Sequence, residues 1–243
     1  MTFGNAQNET RKAIIDAITA HAVNRPRAQQ VEVGPSGIGV SCERQLGYRL
    51  LNIGKTRLQG AAPWMPQIGT AVHTYLETIF APLDRYMTET PVVIKYKDLE
   101  IPGTVDLYDR ETNTVIDFKL TGEAGINNAR RGNTSAQYQV QVQLYAKGLQ
   151  QAGFAVDNVA ILFLPRNKEL TDSVMWQSAY EPQIAEMYLN RYNLIKNVTA
   201  VNNVKALTML DTADAPCVWC DWYNPNAKTP ADGCTGHRNQ QTK

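Results

Sequence analysis

Asp106, Asp117 and Lys119 are the residues whose types and spacing point most directly to chemistry. In Thr114-Val-Ile-Asp117-Phe-Lys119-Leu, the apolar Ile116, Phe118 and Leu120 alternate with Asp117 and Lys119. A strand here puts the apolar three on one side and the carboxylate and ammonium on the other. The run Gly103-Thr-Val-Asp106-Leu-Tyr108 reads as its partner strand, joined through the turn-like Arg110-Glu-Thr-Asn113. If Asp109 and Thr114 close that loop, Asp106 stands opposite Asp117, with Cβ atoms about 5 Å apart. Two such charges repel unless a cation lies between them. Mg²⁺ or Mn²⁺ would satisfy them and leave positions for substrate oxygens. Lys119 could then orient or deprotonate an attacking water and offset charge developing on a phosphate. His73, on the helix before the sheet, could complete the shell. Each signal has a plainer meaning when taken singly: Asp-x-Lys is common on strands, and a lone histidine is more often a satisfied, partly buried side chain.

Cysteine carries the second signal. Cys217-Val-Trp-Cys220 has the C-x2-C spacing that lets two thiolates converge on one metal, Cys234 follows thirteen residues later, and Cys42 lies far upstream. In a chain without a secretory signal, such thiols read as metal ligands or buried residues rather than disulfides. The stretch between Cys220 and Cys234 is rich in turn formers and needs a cross-link to stay folded. Four thiolates suit tetrahedral zinc or an iron–sulfur cluster, and His237 could replace Cys42 in a local Cys3His zinc site.

Elements that could position these residues follow from periodicity. Helices are expected over about residues 7–23, over Ser41–Arg49, over Ile68–Phe80 with Gly69, His73 and Glu77 on one face, over Ser135–Gln151 closed by Gly153, and from Pro182 to about Val201. Strands are expected at Val92–Tyr96, at the two runs above, at the buried-type run Val159–Leu164, and at the edge run Ser173–Tyr180. The turn-rich Gly34–Gly39 is expected to separate the first two helices. This order gives an α/β core with a helical N-terminal arm and a cysteine-bearing tail.

The chain has 243 residues, 43% of them apolar, enough for a real core. No window of about 18 uninterrupted apolar residues occurs, which argues against a membrane span. The first residues lack a secretory profile, so the expected compartment is the cytoplasm, of a host cell if the chain is phage-encoded. Net charge is +1, but basic residues dominate between Arg11 and Arg57 (Arg25, Arg27 and Arg44 among them), whereas acids dominate between Ala81 and Glu123. An acidic centre beside a basic flank suits a metal next to a phosphate-binding surface, and ordinary surface fluctuation gives the same pattern.

Taken together, these residues resemble the RecB-type branch of the PD-(D/E)XK nuclease superfamily. The likeness is to the iron–sulfur exonucleases related to the CRISPR-associated nuclease of that branch and to the AddB nuclease domain. It rests on Gly69-Thr-Ala-Val-His73, Gly103-Thr-Val-Asp106, Ile116-Asp117-Phe118-Lys119, Gln141-Val-Gln-Leu-Tyr145 and the split set Cys42, Cys217, Cys220 and Cys234. It spans about residues 36–236. The gap before Cys234 is longer than the family pattern leads one to expect. The resemblance implies a restriction-endonuclease-like αβββαβ core with a mixed sheet flanked by helices. Residues 1–35 form a helical extension, and 36–243 the nuclease domain, with 36–60 and 205–243 joined by a [4Fe-4S] staple (zinc as the alternative). A metal, Mg²⁺ or Mn²⁺, would be held by His73, Asp106, Asp117 and the backbone carbonyl of Phe118, with Lys119 catalytic. Gln141 and Tyr145 would help position DNA, and Arg44, with Arg130 and Arg131 in a loop, are candidate phosphate contacts.

The activity so implied is a metal-dependent DNA exonuclease on single strands or DNA ends, 5′→3′ by analogy, in recombination, repair or phage DNA metabolism. No G-x4-G-K-[ST] occurs, so unwinding would come from a helicase partner. A recombinase or integrase partner is also compatible. The rivals are DNA trimming of the CRISPR-adaptation type, a non-catalytic DNA-binding protein of the same fold, and a zinc-stabilised interaction module.

Overall fold

The computed structural model describes residues 3–23, 33–55, 64–213 and 217–237. Arg25, Arg27 and Arg57 of the basic flank lie outside the described residues. The helices are α1 (Phe3–Val23), the single turn α2 (Pro35–Ile38), α3 (Glu43–Leu50), α4 (Trp64–Phe80), α5 (Glu123–Arg130), α6 (Ala136–Gln151) and α7 (Pro182–Asn202). The strands are β1 (Tyr86–Tyr96), β2 (Leu99–Asp109), β3 (Thr114–Thr121), β4 (Asn158–Pro165) and β5 (Val174–Ala179), in one sheet of that spatial order. Neighbours pair antiparallel except β3 with β4, which run parallel through the α5–α6 crossover. This is a mixed sheet in the expected αβββαβ order.

Alternation along the strands builds the layers. Ile116 and Phe118 of β3, with Ala160 and Leu164 of β4, face α4 through Val72, Leu76 and Phe80. Val115, Val159, Ile161 and Phe163 face the other way, onto Val142, Tyr145, Ala146 and Leu149 of α6 and Ile126 of α5. Buried on both faces, β4 carries a continuous apolar run, whereas β5 alternates half-buried and exposed positions as an edge strand. A further apolar cluster joins α3, α6 and α7 to Leu207, Leu210 and Trp222 of the tail. Among the described residues, no helix is long and apolar enough to cross a membrane.

Two expectations are corrected. Residues 123–130 form α5, not a loop; Gly125, Asn127 and Asn128 weaken the helical signal there, and burial of Ile126 and Ala129 overrides it. Arg130 therefore ends a helix and pairs with Asp172, Nη2 to Oδ1 2.9 Å. The first strand also starts earlier than Val92, at Tyr86. Pro91 looks like a strand breaker in sequence but is tolerated because β1 is an edge strand.

Candidate active site

The register of the β2–β3 hairpin is the expected one: Asp109 pairs with Thr114, Tyr108 with Val115 and Leu107 with Ile116. The ladder stops there, and the next pair in that register is Asp106 with Asp117. Instead of a backbone bond, the Phe118 N–H donates to Asp106 Oδ2 (2.8 Å), so the Asp106 side chain closes the fork where β2 leaves β3. β1 extends the row. Thr88 pairs with Leu107 and Thr90 with Val105, which sets Glu89 across from Asp106. Glu89, Asp106 and Asp117 thus lie in one line over three neighbouring strands.

His73 reaches this line from α4. Its Nδ1 lies 3.4 Å from Asp106 Oδ1 and 3.8 Å from Glu89 Oε1. The edge of its ring meets Phe118, which also stacks on Phe80, and these contacts fix α4 against the sheet. The carboxylates of Asp106 and then Glu89 push the His73 pKa up to about 10, against a smaller opposing effect of burial. Without a metal, His73 is a cation that partly neutralises the acids.

Asp117 is 1% exposed. Its Oδ1 accepts from Gln141 Nε2 (2.8 Å), and its Oδ2 lies 2.7 Å from Lys119 Nζ. That ion pair is off-line for a hydrogen bond, leaving Oδ2 buried without one. Burial is the main cause that raises the Asp117 pKa, to about 6; the Lys119 charge opposes it and the Asp106 charge adds to it. Lys119 Nζ also donates to Gln141 Oε1 (3.2 Å) and sits 4.9 Å from the centre of the Tyr138 ring. Gln141 therefore bridges the acid and the base, one amide end to each, and its Nε2 also donates to Tyr145 OH (3.1 Å). Tyr145 and Pro35 can both close on β2 because residue 103 is glycine; a Cβ there would lie 2.9 Å from Pro35 Cγ and 3.0 Å from Tyr145 Cε1.

The structure thus gathers His73, Asp106, Asp117, Lys119, Gln141 and Tyr145 around one end of the β2–β3 pair. Among the described residues, the donor atoms that come within 4.8 Å of one another in a set of three belong to His73, Glu89 and Asp106. Glu89 is thus a site residue that the sequence reading missed, and Asp117 stands beside that set, held by Lys119 and Gln141. The signal for Glu89 was available: a two-residue turn at Lys97-Asp98 fixes the β1–β2 register and puts residue 89 opposite 106.

Arg44 points into the tail: Nη2 donates to Leu210 O (3.2 Å) and Nη1 lies 3.9 Å from Cys234 Sγ.

In this cysteine corner Cys42 is the N-cap of α3, its Sγ accepting from the Gln45 N–H (3.4 Å). The Gly236 and His237 N–H groups point at Cys234 Sγ and Cys217 Sγ, each at 3.4 Å. Burial raises the Cys220 thiol pKa, and the neighbouring Cys42 and Cys234 add to the rise. All four cysteines are free of disulfides. Gly47 lets α3 close on the tail, since a Cβ there would fall 2.5 Å from Leu210 Cδ1. Tyr48 stacks on Trp222 at 5.6 Å, and Trp222 Nε1 donates to Ile53 O (2.8 Å).

No protein-family model matches the sequence, and no curated protein matches it significantly. Solved structures do resemble the fold. The crystal structure of SSO0001 superposes with a TM-score of 0.57 at 14% identity, covering 86% of this chain and 94% of that one. An alkaline exonuclease from Laribacter hongkongensis, LHK-Exo, gives 0.51 at 10% identity over 77% of this chain and 93% of its own. Its complex with dAMP gives 0.52 at 11% identity over 72% and 91%. The chain has the fold of LHK-Exo. At these identities the likeness is one of architecture.

Proposed function

We propose that this chain is a divalent-metal-dependent deoxyribonuclease, an exonuclease that hydrolyses phosphodiester bonds of single-stranded DNA or DNA ends. The observation that carries the reading is the line of acids capped by His73, with the Asp117 Oδ2 atom buried and lacking a hydrogen bond. Lys119 compensates Asp117 alone, so the remaining carboxylates of the line repel unless further positive charge lies among them. One imidazole and several carboxylate oxygens are a donor set that suits Mg²⁺ or Mn²⁺. His73, Asp106 and Asp117 would hold the ion, with the Phe118 carbonyl implied by the family likeness. Once bound, it supplies Lewis-acid chemistry at a phosphate ester. Lys119 presents its ammonium to the charge that develops on the phosphate, and Gln141 fixes the direction of that ammonium. Tyr145 in turn holds Gln141. The exonuclease LHK-Exo, which shares the fold, supports the same class of reaction.

Cys42, Cys217, Cys220 and Cys234 are proposed to hold a [4Fe-4S] cluster, with zinc as the alternative. Backbone N–H groups aimed at three of the sulfurs, and the helix start at Cys42, favour thiolates. The cluster would join residues 36–60 to 205–243 as a staple, with 1–35 a helical extension. Degradation from the 5′ end, and a helicase, recombinase or integrase partner, belong to the same proposal.

The test uses anaerobically purified protein on 5′- and 3′-labelled single-stranded and duplex DNA, with Mn²⁺ or with a chelator. Metal-dependent shortening of the strand supports the reading, and the label retained gives polarity. Tight binding with no cleavage under any metal would assign the fold to a DNA-binding role instead. Iron and acid-labile sulfide against zinc in the same preparation decides the cluster.

A further inference from the structure

We infer that Glu89 is a ligand of the cation site, supplied from β1, and that the irregularity of β1 and β2 at this point exists to deliver it. The inference rests on the metal-site reading above and adds a residue that none of the sequence motifs contains. Glu89 has φ of 40°, a left-handed backbone that non-glycine residues rarely adopt within a strand. The consequence is visible in the packing. Residues an even number apart on a strand normally share a face. On β2, however, Val105 packs with the α6 cluster and Leu107 with the α4 cluster. On β1, Tyr86 packs on the α4 side while Val92 packs on the α6 side. Both strands change face between the pairs Thr88–Leu107 and Thr90–Val105, and no register is lost. The turnover is therefore shared, and it falls at Glu89 and Asp106.

A shared turnover places the two carboxylates together under α4, where His73 comes down. Glu89 Oε1 and Asp106 Oδ1 both approach His73 Nδ1, at 3.8 and 3.4 Å. Asp117 cannot take the place of Glu89 without giving up a partner, since Oδ1 is bonded to Gln141 and Oδ2 faces Lys119. Glu89 is half-buried, with its side chain 35% exposed, so its carboxylate remains open to an ion entering from solvent. It supplies a further negative oxygen ligand beside Asp106.

The decisive measurement is Mn²⁺ binding, read by electron paramagnetic resonance of the free ion, on folded wild type, Glu89→Gln, Asp106→Asn and the remote surface variant Glu100→Gln. Wild type and Glu100→Gln are expected to bind alike, and Glu89→Gln at least tenfold more weakly, as does Asp106→Asn. If Glu89→Gln does not fold, Glu89→Asn, whose side chain tolerates the left-handed backbone, replaces it with the same expected loss. Wild-type affinity in the Glu89 variant, beside a loss in Asp106→Asn, overturns the role of Glu89 and leaves the metal site standing. A wild type that binds no Mn²⁺, or equal binding in Asp106→Asn, overturns the site itself and Glu89 with it.

Discussion

Glu89, Asp106 and Asp117 are held in line by strand register, each within one ladder position of a paired neighbour, whereas the cysteine corner is held across long stretches of chain. There Arg44 meets Cys234 across 190 residues, and Trp222 meets Ile53 across 169. The acidic line draws its rigidity from the pairing of β1, β2 and β3 in one sheet. The tail around Cys217–Cys234 has only short 3₁₀ turns and one isolated bridge, Tyr223 with Cys234. The first region is expected to keep its shape on losing a charge, and the second to lose its shape when one of its few anchors is removed.

Mutation of each region should separate these two behaviours. The largest effect is expected in the acidic line: Asp117→Asn or Lys119→Ala lowers cleavage by a factor on the order of 10³, with a thermal midpoint within a few degrees of wild type. A variant that melts far below wild type would show that the line is structural as well. Next comes the corner, where Cys220→Ala is expected to cost about 3 kcal/mol and lower the midpoint by roughly 10 °C, because metal binding there contributes to folding. Its cleavage should fall only with the folded fraction. A midpoint equal to wild type would remove the staple from the account.

Tyr48→Phe sharpens the comparison with a smaller effect. It removes the hydrogen bond from Tyr48 OH to Pro230 O (2.8 Å), worth about 1 kcal/mol, or roughly 2–4 °C, and should leave cleavage unchanged. The smallest effect is on pH dependence. In the metal-free protein the pKa of His73 is raised from 6.5 to about 10, first by Asp106 and then by Glu89. A raised histidine adds stability fully below pH 6.5, and this contribution is lost as pH climbs through about 10. The midpoint of the chelated protein should therefore drift down by a few degrees at most over that window, since the ring is partly solvated. His73→Gln should flatten the drift, and an unchanged slope would place the titration elsewhere.

The same contrast explains what could be read from sequence. The β2–β3 register and the face shared by Asp117 and Lys119 follow from a period of two on strands; a spacing of four puts Gln141 and Tyr145 on one helix face, and their place at the site came only with the family likeness. Glu89 escaped because its place depends on a left-handed residue inside an edge strand that contains Pro91, and alternation breaks at that point. Helix α5 escaped because burial, not propensity, stabilises Gly125 and two asparagines in a helix. The contacts of Arg44 were not legible either, because its partners, the Leu210 carbonyl and Cys234, lie more than 160 residues away. Local periodicity carries no information about such contacts.

The most direct test is a time course of end-labelled DNA with Mn²⁺, run on wild type and Asp117→Asn preparations of equal iron or zinc content and equal thermal midpoint. Progressive shortening by wild type and essentially none by Asp117→Asn is the expected result. Equal cleavage by both proteins, or none by either while both bind DNA, would contradict it.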